Sequence, residues 1–145
     1  YRAETRRRKR GLKKHSQHVK EAQAAFNRYI RTRDYGKPCI SSGRVMDWNK
    51  KGGAVDAGHY RSTGAASHLR FNVFNCNAQS VENNRFKSGN VVDYRINLIK
   101  KYGLERVERL EHDNTPRTFS VEYLERVKRI FAKRARLYRK FRGID

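Results

Sequence analysis

At 145 residues the chain has room for one domain with appended arms. Lysine and arginine total 35 against 14 aspartates and glutamates, a formal charge of +21, which points to a polyanionic partner: nucleic acid first, an anionic membrane surface second. No apolar run is long enough to span a bilayer and no signal segment is expected, while Tyr1 in place of Met suggests a piece lacking its first residues.

Residues 1–16 read as a basic arm, with Arg6, Arg7, Arg8, Arg10, Lys13 and Lys14 as DNA-binding candidates and Glu4 the one acid before Glu21. Such a block is either a solvated tail or a flexible or helical arm that tracks phosphates. A single domain is expected over 17–145, opening with a helix over 17–34 whose apolar face is Val19, Ala22, Phe26, Tyr29 and Ile30. Gly36 and Pro38 end it, and a turn-rich stretch follows to Gly53. Extended pieces are predicted at Val45–Trp48, Ala54–His59 and Leu69–Asn77, then a short helix over 81–88 capped at Gly89. The rest, 91–142, reads as helical: 91–102 with Val92, Ile96 and Ile99, a break at Gly103, 104–111, a loop at Asn114-Thr115-Pro116, and a long helix capped by Ser120. One stripe of that last helix is apolar (Tyr123, Leu124, Val127, Ile130, Phe131, Leu137, Tyr138, Phe141). The other is basic, and Arg129, Lys133, Arg136 and Lys140 are read as phosphate contacts. Cys39 and Cys76 are too few for a disulfide framework or a four-thiolate zinc site and read as reduced thiols, a bridge between them staying open.

Chemistry concentrates between residues 54 and 90. His59 closes one extended piece, Asn75 lies in the next, and Asn84 falls in the short helix after it, the order a ββα nuclease finger requires. Such a finger needs an imidazole to take a proton from water and a divalent cation, usually Mg²⁺, to stabilise charge on the phosphate. Hard cations prefer oxygen ligands, which nominates Asp56 and Asn84, and an amide from the second strand, Asn75, is expected to orient His59.

The segments Lys37-Pro38-Cys39-Ile40-Ser41, Asp56-Ala57-Gly58-His59-Tyr60-Arg61, Leu69-Arg70-Phe71-Asn72 and Lys87-Ser88-Gly89-Asn90 together resemble the NinG (Rap) recombination endonucleases of lambdoid phages, which belong with the HNH or His-Me finger nucleases. The resemblance implies that His59 is the general base, that Asn75 is the middle HNH asparagine, and that Asn84 opens the finger helix and holds Mg²⁺ or Mn²⁺ with Asp56. Arg61 and Lys87 join the DNA-binding candidates. It also implies an α+β fold with a ββα-metal finger embedded among helices, and a structure-selective endonuclease acting on Holliday junctions or D-loops. Branched DNA and a second copy in a homodimer are the expected partners, with no membrane, and the expected location is the host cytoplasm, on the nucleoid when bound to DNA.

The chain departs from that family at two Cys-x-x-Cys knuckles that bind a structural zinc, represented here by Cys39-Ile40-Ser41-Ser42 and Ser80-Val81-Glu82-Asn83. Serine and asparagine do not replace thiolates at zinc, so no structural zinc is expected. Gly58 stands where HNH proteins often carry a metal-binding acid. The competing readings are a catalytically weak or inactive module that binds branched DNA and, third, an RNA-binding protein.

Overall fold

Among the described residues five α-helices carry about half of the chain, and a two-stranded antiparallel sheet is clasped among them. The computed structural model describes residues 1–87 and 90–143, with backbone alone at 9–12. Ser88 and Gly89 lie outside the described residues, and with them the expected cap at Gly89.

The arm is helical. Helix α1 runs Arg2–Leu12, exposed along its described side chains, with Arg8 paired to Glu4 one turn away at 2.9 Å. Lys13 is extended and breaks it from α2, His15–Arg33. Helix α2 buries His18, Ala22, Phe26, Tyr29 and Ile30, a spacing that puts all five on one face. That face meets the last helix, α5 (Val121–Arg142), through Leu124, Val127, Phe131 and Ala135. Phe26 and Tyr29 contact Phe131 with ring centroids 4.9 and 5.1 Å apart. Ser120 caps α5, its Oγ accepting from the Tyr123 amide at 3.1 Å. The expected single stripe on α5 therefore divides: Ile130, Leu137 and Phe141 face solvent at 37, 56 and 92% exposure.

Strands β1 (Val55–His59) and β2 (Cys76–Ser80) pair with His59 opposite Cys76 and Asp56 opposite Gln79. No strand forms at Val45–Trp48. The second strand also begins later than the apolar run predicts. Residues 67–75 turn repeatedly, and the Asn72 side-chain oxygen accepts from the Phe74 and Asn75 amides at 2.9 and 3.3 Å. A short polar side chain that mimics a backbone acceptor in this way favours a turn over a strand. After β2 the expected short helix forms over Glu82–Phe86, as a π-helix.

Helices α3 (Val91–Tyr102) and α4 (Leu104–His112) are separated by Gly103, whose φ of +89° suits glycine. They bury Tyr94, Leu98, Val107 and Leu110 against Tyr60 and Leu69. The predicted face of α3 was Val92, Ile96 and Ile99. Tyr94 and Leu98 occupy the core instead, leaving Val92 and Ile96 exposed and Ile99 partly buried. The Tyr94 hydroxyl fixes that choice by donating to the Gly58 carbonyl at 2.6 Å.

Candidate active site

Position along β1 decides which way each candidate side chain points. Side chains alternate along a strand, so Ala57 and His59 share one face while Asp56 and Gly58 share the other. The face bearing His59 packs on α2. Its ring stacks on Phe26 at 6.3 Å, and Nε2 lies 3.0 Å from the Arg70 carbonyl. A carbonyl only accepts, so Nε2 carries the proton and Nδ1 keeps the lone pair. Nδ1 lies 3.8 Å from the Cys76 sulfur, a thiol that burial keeps protonated. Burial also pushes the His59 imidazole below its ordinary pKa. The hydrogen bond to Arg70 opposes that shift and the nearby Arg70 charge adds to it. The imidazole is therefore neutral at pH 7, the state a general base needs.

Asp56 and Asn84 come together on the other face: the Asn84 amide donates to Asp56 Oδ2 at 2.9 Å. Arg85 engages both oxygens of the same carboxylate, at 3.0 and 2.9 Å. Three residues of strand separate Asp56 from His59, about 10 Å of backbone. Asn75 does not touch the imidazole. It lies just before β2, fully buried, and clamps the backbone of Arg61, accepting from its amide and donating to its carbonyl, each at 3.0 Å. The expected orienting amide is thus replaced by the Arg70 carbonyl, and Asn75 holds the chain that leaves His59. Arg61 itself is spent on the end of α4, donating to the Leu110 and Asp113 carbonyls at 2.8 Å and to Asn114 at 2.9 Å.

The chain matches the family model described as Bacteriophage Lambda NinG protein over residues 1–141. It belongs to the NinG family. Protein ninG of Escherichia phage lambda and that of Salmonella phage P22 are each 42% identical over 123 residues, covering 83% of this chain and 57% of theirs. Protein ninG of Enterobacteria phage H19B is equally similar, with 58% of its length covered. The chain thus spans a little over half the length of these NinG relatives. No solved structure matches.

The two stretches that stand at the expected Cys-x-x-Cys positions meet in space. Ser80 accepts from the Asn83 amide nitrogen at 2.8 Å, and its own backbone N–H donates to the Cys39 sulfur at 3.3 Å. Burial pushes the Cys39 thiol up, but hydrogen bonds from Ser42 and from neighbouring backbone groups outweigh it and leave the thiol below its ordinary value. One thiol, two hydroxyls and an amide do not fit zinc, and hydrogen bonds tie the knuckle together instead. Both cysteines are free, which removes the Cys39–Cys76 bridge.

Gly58 is equally constrained. A Cβ there would lie 2.9 Å from that of Gln79, a fully buried side chain bonded to Ser41. The position is filled from across the sheet, so no acid can stand beside His59.

Sequence reasoning missed Arg70, whose carbonyl orients His59 and whose buried Nε has no partner among the described residues. Its place in the Leu69-Arg70-Phe71-Asn72 segment is its one signal in the sequence. Among the DNA-binding candidates, Lys87 pairs with Glu82 at 3.5 Å and Lys13 with Glu21 at 3.1 Å. Arg6, Arg7 and Arg129 converge with Lys13 and Lys128 on a groove of about 700 Å³ between α1 and α5. Arg8, Lys14, Lys133, Arg136 and Lys140 are exposed, and the Arg10 side chain lies outside the described residues.

Proposed function

We propose that this chain is a metal-dependent, structure-selective DNA endonuclease of phage recombination, acting on Holliday junctions or D-loops. The observation that carries the reading is the His59 imidazole: neutral, fixed at the end of a hairpin strand by the Arg70 carbonyl, with its lone pair on Nδ1. In this reading His59 takes the proton from an attacking water. Asp56 and Asn84 are adjacent and bear oxygens, which suits Mg²⁺, an ion that keeps several waters and needs few protein ligands. Bound there, Mg²⁺ or Mn²⁺ would supply charge stabilisation at the phosphate. Arg85 must then swing from Asp56, and its guanidinium becomes available to DNA. No helix among the described residues is long and apolar enough to cross a membrane. The test is cleavage of a synthetic four-way junction with Mg²⁺ and in EDTA. Retention of every junction intact in both would remove the nuclease reading.

A second reading, a binding module for branched DNA without catalysis, is favoured by Arg85 occupying both oxygens of Asp56. Both readings require DNA binding dominated by phosphate contacts. With about six phosphates neutralised, affinity falls about a thousandfold between low and moderate salt, and removing residues 1–14 flattens that slope. Fluorescence anisotropy across a salt series checks this; a flat response excludes the α1 and α5 faces as the DNA surface.

Paired cuts on opposed strands require two sites related by a two-fold axis, hence a homodimer. Ile130, Leu137 and Phe141 recur at seven- and four-residue spacing on the outer side of α5 and form its dimer face in this proposal. Leu137→Lys with Phe141→Lys is expected to yield monomers in sedimentation velocity. A monomeric parent chain would overturn the dimer.

A further inference from the structure

Two arginines near the end of helix α2, Arg31 and Arg33, have opposite fates. The Arg33 side chain, 13% exposed, is saturated: it donates to both oxygens of Asp34, to the Val73 and Cys76 carbonyls, and to Asn77, all between 2.8 and 3.1 Å. Arg31 is half-buried, and its guanidinium has no hydrogen bond or ion pair among the described residues. It opens into a cleft of about 370 Å³ between the ends of α2 and α5 and the loop 48–55. Arg28 and Arg139 line the same cleft, likewise without side-chain partners, and no acidic side chain lines it among the described residues. Tyr35 and Trp48 form one wall, with ring centroids 5.3 Å apart. Val55, the neighbour of Asp56 in β1, lines the cleft, so the cleft adjoins the candidate metal ligands, and the Asp56 charge acts on Arg31.

Three guanidinium groups gathered in a cleft that no carboxylate lines among the described residues, with the nearby Asp56 already paired to Arg85, repel one another, and desolvation adds to the cost at Arg31. A fold that pairs Arg33 so completely leaves these three open, which is the condition of a site awaiting an anion. Guanidinium forks match phosphate oxygens two at a time, and a ring face beside them accepts a base without regard to sequence.

We propose that this cleft binds the backbone of an unpaired DNA strand, with a phosphate held by Arg28, Arg31 and Arg139 and the neighbouring base stacked against Tyr35 and Trp48. The proposal deepens the nuclease reading by giving the unpaired strand a path beside Asp56, and rests on that reading only for DNA as the polymer.

Trp48 is the chain's one tryptophan, so its emission reports on the cleft alone. The experiment titrates the intact chain with an oligothymidylate of about ten nucleotides in EDTA, where no cleavage contributes, following tryptophan emission and anisotropy together. Saturable quenching is expected. Arg31→Gln should weaken it about tenfold and make the salt dependence shallower by about one counterion, while Arg31→Lys recovers part of the affinity. Lys100→Gln on α3, an equal loss of charge outside the cleft, should leave quenching intact. Emission that ignores DNA, or an Arg31→Gln chain that behaves like Lys100→Gln, would overturn the proposal. Because the readout is binding, it stands or falls separately from junction cleavage.

Discussion

Cleavage of a four-way junction falls about a hundredfold to ten-thousandfold when His59 is replaced by alanine, the usual cost of losing a general base. Junction affinity stays nearly unchanged, because a neutral imidazole contributes little attraction to phosphate. On the proposed nuclease reading, the acid limb of the parent chain's pH–rate profile carries the same signature. Burial lowers the His59 pKa, so the folded protein resists protonation and the rate holds on acidification until pH drops below the ordinary imidazole range near 6.5. Stability follows with a definite sign. Below that range the unfolded chain binds the proton more readily than the folded one, so stability declines as pH falls, and His59→Ala removes that part of the decline. Asp56→Ala and Asn84→Ala are expected to slow cleavage in a manner that added Mg²⁺ partly reverses. Parent-level cleavage by the His59→Ala chain would dismiss the mechanism and promote the binding-module reading.

The largest expected loss of stability lies away from the finger, at Asp34. This carboxylate is 1% exposed; it binds Arg33 through both oxygens and accepts from the Ala78 amide at 2.9 Å. Lys101 and Lys37 stand 3.6 and 3.7 Å away. Burial raises the Asp34 pKa, but the Arg33 and Lys101 charges and the Ala78 amide prevail and hold it below the usual aspartate value. Burial pushes Lys101 down to about 8 even with Asp34 beside it. Asp34→Ala would leave Arg33 and Lys101 facing each other without an anion, a change that costs about 3–5 kcal/mol. For a domain of this size that lowers the melting temperature by about 10 °C. With its folded pKa depressed, Asp34 contributes stability above the ordinary aspartate range, lost as pH falls through it. Thermal unfolding of Asp34→Ala at the parent's temperature would show that this network is not what joins α2 to the sheet.

The helices were legible because their stops are local: Gly36 after α2, Gly103 before α4, Ser120 before α5. What was illegible depended on contacts distant in sequence. Leu69, Phe71, Val73 and Phe74 read as a strand, and only the Asn72 side chain's capture of two backbone amides turns them aside. Val92 and Ile96 are as apolar as the residues that displaced them, but Tyr94 has a buried carbonyl to satisfy. His59, Asp56 and Asn84 were nominated from their order alone, and the structure pairs Asp56 with Asn84. Nothing in the sequence shows that Asn75 holds the Arg61 backbone, that a carbonyl takes its expected place at the imidazole, or that Arg33 is consumed while Arg31 is left open.

Gly58 constrains how this hairpin is able to change. An acid at position 58 is not reachable in one substitution, since the Gln79 side chain already fills that space from the opposite strand. A smaller residue at 79 would have to come first, and that intermediate would carry a hole in the sheet and lose the hydrogen bond to Ser41. In the proposed nuclease, order of mutation rather than chemistry therefore keeps the acidic group two residues upstream at Asp56. Lineages that share Gln79 are expected to share Gly58, and an acid at 58 should be found only where 79 has already become small.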